Sequence, residues 1–383
     1  AGRVISPLVF LRNLWKNGSD MNLRLPGPTP LTDDVAAAMT APIIDHRGAA
    51  FSVLLRRVTA TFQRLYGTDG DVYLMTNSGW GGVESMIVNT LNVGDRALAV
   101  TAGFFGEKFA DIARVFGVEV DLLQFPDGAI IDPDALARRL RETPDYKAVL
   151  LTHNESYTGV LHPLGEIARA VRENSDALIL VDAVSALGGV PTEFDAWGID
   201  ALSSASQKAL MGPPGMATLA ASARAWAAYA QARTPRFYLD WGAYREALKV
   251  GHTPHTPALP VLYALDAAAK KIEAEGLPAV YARHERVAAF TRARVRDLGL
   301  ALLAEPKGYS PTLTVVRMPE GVDGDEVRAA AREMGVEFGA SWGRLQGKIL
   351  RIGHMGMTTE ADIDDAVEVL GEALARVRGP RGV

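Results

Sequence analysis

The chain has 383 residues, of which 48% are hydrophobic and 22% are charged, a balance typical of a folded globular protein with about two or three domains. Its net charge of −5 without any basic run argues against a nucleic-acid partner, and no apolar stretch approaches the ~20 residues that a membrane-spanning helix needs. There is no cysteine, which excludes disulfides, thiolate metal sites and a cysteine nucleophile.

The first segment in chain order is apolar and basic. Residues 4–11 are apolar, basic side chains flank them, and no acidic residue precedes Asp20. This composition fits either a targeting peptide or an arm or leader that precedes a start at Met21. We favour the second interpretation because the apolar part is short and no small-residue cleavage site follows it. We therefore expect residues 1–24 to be an N-terminal arm of a cytoplasmic protein.

The middle of the chain alternates short apolar runs with amphipathic segments. The runs predict buried strands at 72–75, 97–100, 118–123, 148–151, 178–181 and 199–202, and the segments predict helices at 83–91, 106–116, 133–140 and 164–173. This alternation is typical of an α/β fold with a mostly parallel sheet and helices on both faces. We assign it to a large domain over residues 25–284.

The pattern changes at about residue 285. A long charged helix is predicted at 285–298, followed by a strand at 312–316, a helix at 324–334, a strand at 349–352 and a final helix at 360–377. This order predicts a smaller α+β domain over residues 285–383.

Three turns follow predicted strands of the large domain. Residues 76–82 are rich in glycine and open a helix, so they form either a phosphate site of free backbone N–H groups or an ordinary turn. Phe105, in the turn 103–106, either stacks on a cofactor ring or belongs to the core. Residues 152–159 are dense in polar groups. Ligands of doubly wound sheets collect at these carboxyl ends.

Two charged residues stand at later strand ends. Lys208 follows the apolar run 199–202 and precedes a turn with two prolines and two glycines. It is either a solvated surface lysine or a desolvated nucleophile, which would form an imine with an aldehyde, above all pyridoxal phosphate. Asp182 ends the run 178–181. It is either a helix cap or the anion that pairs with the pyridine nitrogen of that cofactor.

Six blocks in chain order resemble the class V pyridoxal-phosphate aminotransferases, most closely the alanine–glyoxylate and serine–glyoxylate (serine–pyruvate) group. They are residues 26–30, 78–79, 152–161, 181–185, 206–209 and 350–353. The resemblance spans nearly the whole chain from Leu25 and implies the fold-type I architecture. It also implies a ping-pong transaminase that moves an amino group from alanine or serine to glyoxylate or pyruvate.

The resemblance implies the roles of individual residues. Lys208 would bind the cofactor and move the proton, Asp182 would pair with the pyridine nitrogen, and Arg351 would hold the substrate carboxylate with Gly27 nearby. The phosphate would be held by Ser78, Gly79, Trp80 and Gln207, the ring would lie between Val184 and Phe105, and Ser156 would face the cofactor hydroxyl. Thr256 matches a threonine that reaches the phosphate from the neighbouring subunit, which implies a homodimer with shared active sites.

Some alternatives stay open. Trp80 stands where relatives have smaller or imidazole side chains, so only its backbone N–H is expected to serve, and Thr253 and His255 lie where relatives supply a tyrosine to the phosphate. A lyase or aldolase would use the same lysine, aspartate and arginine, and a non-catalytic relative would keep the fold. Cysteine desulfurases share the fold but need the cysteine that this chain lacks. The amino donor could also be a ureido compound such as ureidoglycine.

Overall fold

The computed structural model describes residues 21–379, so the expectations for residues 1–20 lie outside the described part. The strands are β1 (Asn22–Arg24), β2 (Val72–Met75), β3 (Arg96–Thr101), β4 (Glu119–Gln124), β5 (Ala148–Thr152), β6 (Asn154–Glu155), β7 (Val160–Leu161), β8 (Leu178–Asp182), β9 (Ala201–Ala205), β10 (Ala217–Ala221), β11 (Leu313–Arg317), β12 (Val336–Phe338) and β13 (Ile349–Gly353). The helices are α1 (Asp33–Ala38), α2 (Ala49–Tyr66), α3 (Gly79–Thr90), α4 (Phe104–Val115), α5 (Pro133–Glu142), α6 (Leu164–Asn174), α7 (Ala223–Tyr229), α8 (Trp241–Lys249), α9 (Leu259–Glu275), α10 (Leu277–Asp297), α11 (Gly324–Glu333) and α12 (Glu360–Arg378).

The central sheet has seven strands in the order β2-β10-β9-β8-β5-β3-β4. Strand β10 runs antiparallel to β2 and β9, and the other four pairings are parallel. Strands β2, β5, β8 and β9 are buried along their whole length, and the mainly apolar sequences of β2, β5 and β8 predict this for a sheet covered on both faces. The predicted α/β fold class is confirmed. Strand β10 was not predicted.

Helices cover both faces of this sheet. On one face, apolar residues of α2 and α6, among them Phe51, Phe62 and Ile167, pack into the larger core. On the other face, α3 and α4 contribute residues such as Met86 and Phe109 to a second core. Because both faces are covered, the sheet is a rigid platform. Functional side chains can lie only where its strands end.

The C-terminal part has its own apolar core between α10, α11, α12 and a small set of strands. Strand β11 pairs antiparallel with β13, and β12 pairs in parallel with β1, so the first described strand joins this part of the fold. Helix α10 spans residues 284 and 285, and the domain boundary placed there stays a prediction. None of the helices within residues 21–379 is long and apolar enough to cross a membrane. The cytoplasmic location stays a prediction.

The strand order places several loops at one edge of the sheet. Strands β2, β3, β5, β8 and β9 run in the same direction, since the single antiparallel strand β10 lies between β2 and β9. Their carboxyl ends therefore meet at one edge, where ligands bind in sheets of this type. The segments that follow them carry the predicted phosphate turn, Phe105, Ser156, Asp182 and Lys208.

Candidate active site

A cavity of about 150 Å³ opens at this carboxyl edge. Nine of the residues predicted for the cofactor site line it, together with three that were not predicted. The predicted residues are Ser78, Gly79, Trp80, Phe105, Ser156, Asp182, Val184, Gln207 and Lys208, and the others are Val83, Asn154 and Ser185. The structure therefore brings together residues that are up to 130 positions apart in the chain.

Lys208 lies in the turn after β9, and its amine points away from bulk water. Its Nζ donates a hydrogen bond to the carbonyl oxygen of Pro26. Gly27, with φ of +98°, leaves room for this side chain, because a Cβ there would lie 2.5 Å from Lys208 Nζ. Burial lowers the pKa of Lys208 to about 8, with a further decrease from Arg351 that Asp182 opposes. The structure thus places Gly27 against the candidate nucleophile.

Asp182 is the last residue of β8 and is buried. Its Oδ1 accepts a hydrogen bond of 2.8 Å from the Val184 N–H, which fixes the carboxylate at the strand end. Burial raises the pKa of Asp182 to about 6, and the Val184 N–H and the Lys208 charge only partly offset this. A carboxylate that is buried without a full set of partners suits a cationic ring nitrogen.

The predicted phosphate turn forms the start of α3. Ser78 is the residue before the first helical position, and its carbonyl accepts from the Gly81 and Gly82 N–H groups at 3.0 and 3.3 Å. The N–H groups of Gly79 and Trp80 lie in the first turn of the helix, where the helix offers no carbonyl acceptor. They are therefore available to an anion at the positive end of the helix. A Cβ on Gly79 would lie 3.0 Å from Val184, so the helix packs closely on the cavity wall.

Gln207 and Asn154 bring unpaired amide oxygens to the cavity. Within residues 21–379, the buried Oε1 of Gln207 and Oδ1 of Asn154 have no hydrogen-bond partner. The Asn154 Nδ2 donates to Ser185 Oγ at 2.8 Å and to Thr312 Oγ1 at 3.2 Å, which orients this amide. The sequence analysis missed Asn154 and Ser185 as individual residues, although both lie in the polar blocks that it identified.

Aromatic side chains close one side of the cavity. Phe105 stacks on Trp80 with ring centroids 5.8 Å apart and contacts Trp342 edge to face at 6.3 Å. Phe104 packs between Trp342 and Tyr157, at 5.2 and 5.7 Å. Phe105 is therefore part of a wall that continues toward Arg351.

Arg351 lies on β13 behind this wall and is buried. Its Nε donates to the Ala340 carbonyl at 2.8 Å, its Nη1 donates to the Ser156 carbonyl at 3.2 Å, and its guanidinium lies 4.4 Å from the Trp342 ring. Burial lowers the pKa of Arg351 to about 10, against the effect of Glu155. Of its five N–H donors, three are left, including the whole Nη2 group.

Thr256 does not line the cavity of its own chain. Its Oγ1 is 3.5 Å from His46 Nε2 and exposed, and Thr256 is not among the residues that line the cavity. The neighbouring His255 ring stacks on Tyr238 at 4.6 Å, and Thr253 donates its hydroxyl to the His255 carbonyl at 2.8 Å. The proposed contact of Thr256 with a partner subunit stays a prediction.

Glu155 is a third residue that was not predicted individually from the sequence. It ends β6, is buried, and accepts hydrogen bonds from the backbone of both Phe105 and Tyr157, at 2.9 and 3.0 Å. Burial raises the pKa of Glu155 to about 7 despite these bonds. A glutamate in a polar run gives no sign of burial by itself, and only the packing of α4 against β6 reveals it.

Taken with the fold, this cavity defines an enzyme class in which a desolvated lysine and an aspartate face each other at the carboxyl edge of a parallel sheet. The family model described as aminotransferase class-V matches residues 43–364. The chain belongs to the class-V aminotransferase family, which confirms the resemblance seen in the sequence.

Several known proteins are similar over most of the chain. The soluble hydrogenase small subunit of Synechococcus is 37% identical over 93% of this chain and 93% of that protein. The L-aspartate–glyoxylate aminotransferase of Paracoccus denitrificans is 35% identical over 88% of this chain and 87% of its own length. A solved alanine–glyoxylate aminotransferase from Nostoc superposes with a TM-score of 0.89 at 32% identity, covering 93% of this chain and 95% of that one. The aminotransferase prediction is therefore confirmed.

The charges around Lys208 predict how its pKa responds to substitution. Arg351→Gln should raise the pKa of Lys208, because it removes a repelling cation, and Asp182→Asn should lower it, because it removes an attracting anion. The measurement is the pH dependence of Lys208 labelling by an amine-reactive reagent, read by peptide mass spectrometry, with a wild-type midpoint near pH 8. Arg328→Gln, which removes an arginine that pairs with Glu337, is the control and should leave the midpoint unchanged. Equal midpoints in all four proteins would contradict the charge assignment.

Proposed function

We propose that this chain is a pyridoxal-phosphate-dependent transaminase that moves an amino group from a small amino acid, alanine or serine, to a small 2-oxo acid, glyoxylate or pyruvate. The supporting observation is that Lys208 and Asp182 line one cavity, while Arg351, on a third segment, lies close enough to lower the pKa of Lys208. A desolvated amine, a buried carboxylate and a buried guanidinium are the three charges that such a ping-pong reaction needs.

The residues present fit this cofactor. The free N–H groups at the start of α3 suit its phosphate, and the buried carboxylate of Asp182 suits its protonated ring nitrogen. The unpaired oxygens of Gln207 and Asn154 are polar groups that a ligand would satisfy. We propose that the cofactor phosphate would be held by Ser78, Gly79, Trp80 and Gln207. The two faces of its ring would contact Phe105 and Val184, and the ring hydroxyl would lie near Ser156. When bound, the cofactor supplies an electron sink for the substrate α-carbon.

Lys208 is the candidate proton carrier. Its pKa of about 8 leaves roughly a tenth of the amine neutral at pH 7, so the same nitrogen can accept and return a proton. The Pro26 carbonyl accepts a hydrogen bond from Nζ, and the bare backbone of Gly27 leaves the amine free to move. These contacts hold the Lys208 side chain at the cavity lining.

Arg351 is the candidate anchor of the substrate carboxylate. Two carbonyl contacts and the Trp342 ring fix its plane, and the remaining donors on Nη1 and Nη2 can form the two-pronged contact with a carboxylate. Arg344, which lies over the Tyr157 ring, is neutralised by Asp127 and Glu107. Since Arg351 is the one guanidinium of the described residues whose charge acts on Lys208, we propose a monocarboxylic donor rather than aspartate.

The relative named as a soluble hydrogenase subunit does not change this proposal. Iron–sulfur clusters are held chiefly by cysteine thiolates, and this chain has no cysteine. In the described part of the chain, no three histidine, aspartate or glutamate side chains cluster as metal ligands would. The cavity is lined instead by Lys208 and Asp182, to which we assign roles in amino-group transfer.

We also propose that the active enzyme is a homodimer with shared sites. Thr256 is exposed and lies outside its own cavity, and large apolar side chains in the same region are exposed, Phe237 by 82% and Val250 by 62%. A two-fold interface would cover these side chains and give each cavity one threonine from the partner chain.

Replacing Lys208 tests the proposed function. Lys208→Ala should keep the fold, abolish the visible absorbance of bound cofactor and slow the half-reaction with alanine by several orders of magnitude, because nucleophile and proton carrier are lost together. Lys249→Ala, which removes an exposed lysine, is the matched control and should behave as wild type. Pyruvate and glycine formed one to one from alanine and glyoxylate would distinguish transamination from lyase chemistry. Near wild-type turnover by Lys208→Ala would end the proposal.

Replacing Arg351 tests the donor class. Arg351→Lys should lower kcat/KM for alanine or serine by an amount equivalent to about 2–4 kcal/mol, because an ammonium cannot make the two-pronged contact. The measurement is a panel of amino donors, including aspartate and ureidoglycine, against glyoxylate. Arg344→Lys, at the neutralised arginine, is the control. Unchanged kcat/KM in Arg351→Lys would remove this residue from the site, and a preference of the wild type for aspartate would refute the monocarboxylate assignment.

Subunit mixing tests the shared site. Lys208→Ala and a strongly impaired Thr256 variant are each inactive, but a heterodimer of the two would contain one site with both residues intact. We expect activity to return after subunit exchange. Thr256→Ala by itself should weaken cofactor binding by about 1 kcal/mol, or somewhat more because the acceptor is charged. If activity does not return despite proven exchange, or if the protein is an active monomer, the sites are not shared.

A further inference from the structure

Glu155 makes contacts that none of the assigned roles uses. Its side chain runs beneath the start of α4, where a Cβ on Gly103 would lie 2.6 Å from Glu155 Cγ and 2.7 Å from Cδ. Glycine at position 103 therefore allows the carboxylate to reach the helix terminus. The residue is 1% exposed, so the carboxylate is held entirely by protein groups.

Both oxygens of the Glu155 carboxylate accept hydrogen bonds from backbone N–H groups. Oε2 accepts from Phe105 at 2.9 Å and from Gly106 at 3.1 Å, and Oε1 accepts from Tyr157 at 3.0 Å. An ionised carboxylate satisfies this arrangement because it has acceptors only. A glutamine in the same place would direct an NH₂ group at one of the N–H donors.

These bonds connect two walls of the cavity. On one side, Glu155 fixes the backbone of Phe105, whose ring lines the cavity. On the other side it fixes Tyr157, whose Oη donates to the Trp342 carbonyl at 2.6 Å and accepts from the Leu345 N–H at 3.1 Å. Trp342 in turn stacks on the Arg351 guanidinium.

The segment that contains Glu155 also contacts Arg351 directly. The next residue, Ser156, accepts a hydrogen bond from Arg351 Nη1 through its carbonyl at 3.2 Å. The charge of Glu155 favours the cationic form of Arg351, and Asp182 opposes the charge of Glu155. Glu155 is thus linked by backbone, aromatic and electrostatic contacts to the carboxylate anchor.

We propose that Glu155 is a positioning residue that fixes the aromatic wall at Phe105 and the guanidinium of Arg351 relative to each other, so that a bound monocarboxylate meets both in a single geometry. The proposal rests on the proposed function for the identity of the ligand. It assigns Glu155 no contact with substrate. Its effect should appear in carboxylate binding rather than in cofactor binding.

Two substitutions test it in the cofactor-loaded enzyme. Glu155→Gln removes the charge with little change of volume, and Gly103→Ala displaces the carboxylate while it keeps the charge. Each should raise the KM for the amino donor, and the Kd of propionate measured by calorimetry, by roughly tenfold to a hundredfold, as for a misplaced binding group. The Kd of pyridoxal phosphate should change less than about twofold.

Asp200→Asn is the matched control, because Asp200 is also buried and accepts a backbone hydrogen bond, from Ile179 at 2.8 Å, but precedes β9 at the opposite edge of the sheet. Asp200→Asn should lower Tm without changing the KM for the amino donor or the Kd of propionate. The proposal is wrong if the Glu155 and Gly103 variants also show a lower Tm with unchanged KM and Kd, or if propionate does not bind the wild type. The propionate measurement needs no turnover, so a wild type that binds propionate but transaminates no donor would refute the proposed function alone.

Discussion

The site depends on keeping three charges out of water, Lys208 and Asp182 at the carboxyl edge of the central sheet and Arg351 on β13. Burial lowers the pKa of Lys208 to about 8 and raises that of Asp182 to about 6, so each group is moved toward its neutral form. The attraction between the charges of Lys208 and Asp182 opposes both pKa shifts. The positive charge of Arg351 has the other effect on Lys208, because it disfavours the protonated amine. The lysine can be a nucleophile near neutral pH because desolvation exceeds this attraction. The ends of the parallel strands β8 and β9 position Asp182 and Lys208, whereas Arg351 lies on β13, which pairs antiparallel with β11.

The fold was predictable wherever burial leaves a simple pattern. Strands β5 and β8 are buried on both faces, so their sequences are uninterrupted apolar runs, and they were found close to their observed bounds. Strand β10 was missed because its sequence ATLAA is mostly alanine, which has low strand propensity. Its pairing with β2 and β9 overrides that propensity. Such pairing is a tertiary effect that the local sequence does not contain.

The same distinction applies to the site. The placement of Lys208 and Asp182 at one sheet edge was predictable because each follows a strand-like run, whereas their roles were inferred from the resemblance. Glu155 and Asn154 were not, since their partners are N–H groups and hydroxyls from distant segments, as with Thr312 and Asn154. Thr256 shows the opposite limit. The role predicted for Thr256 came from the resemblance. In the single chain, Thr256 does not line the cavity of that chain.

Buried polar atoms divide the residues of this edge into two kinds. Glu155 has both oxygens paired with protein N–H groups, and removing such a partner leaves donors unsatisfied, so it belongs to the frame. Gln207 and Asn154 each have a buried oxygen without a partner in the described residues, which costs stability in the isolated chain. The unpaired amides line the cavity in which we propose that the cofactor binds, whereas the paired carboxylate of Glu155 lies outside the cavity lining and holds the backbone of Phe105.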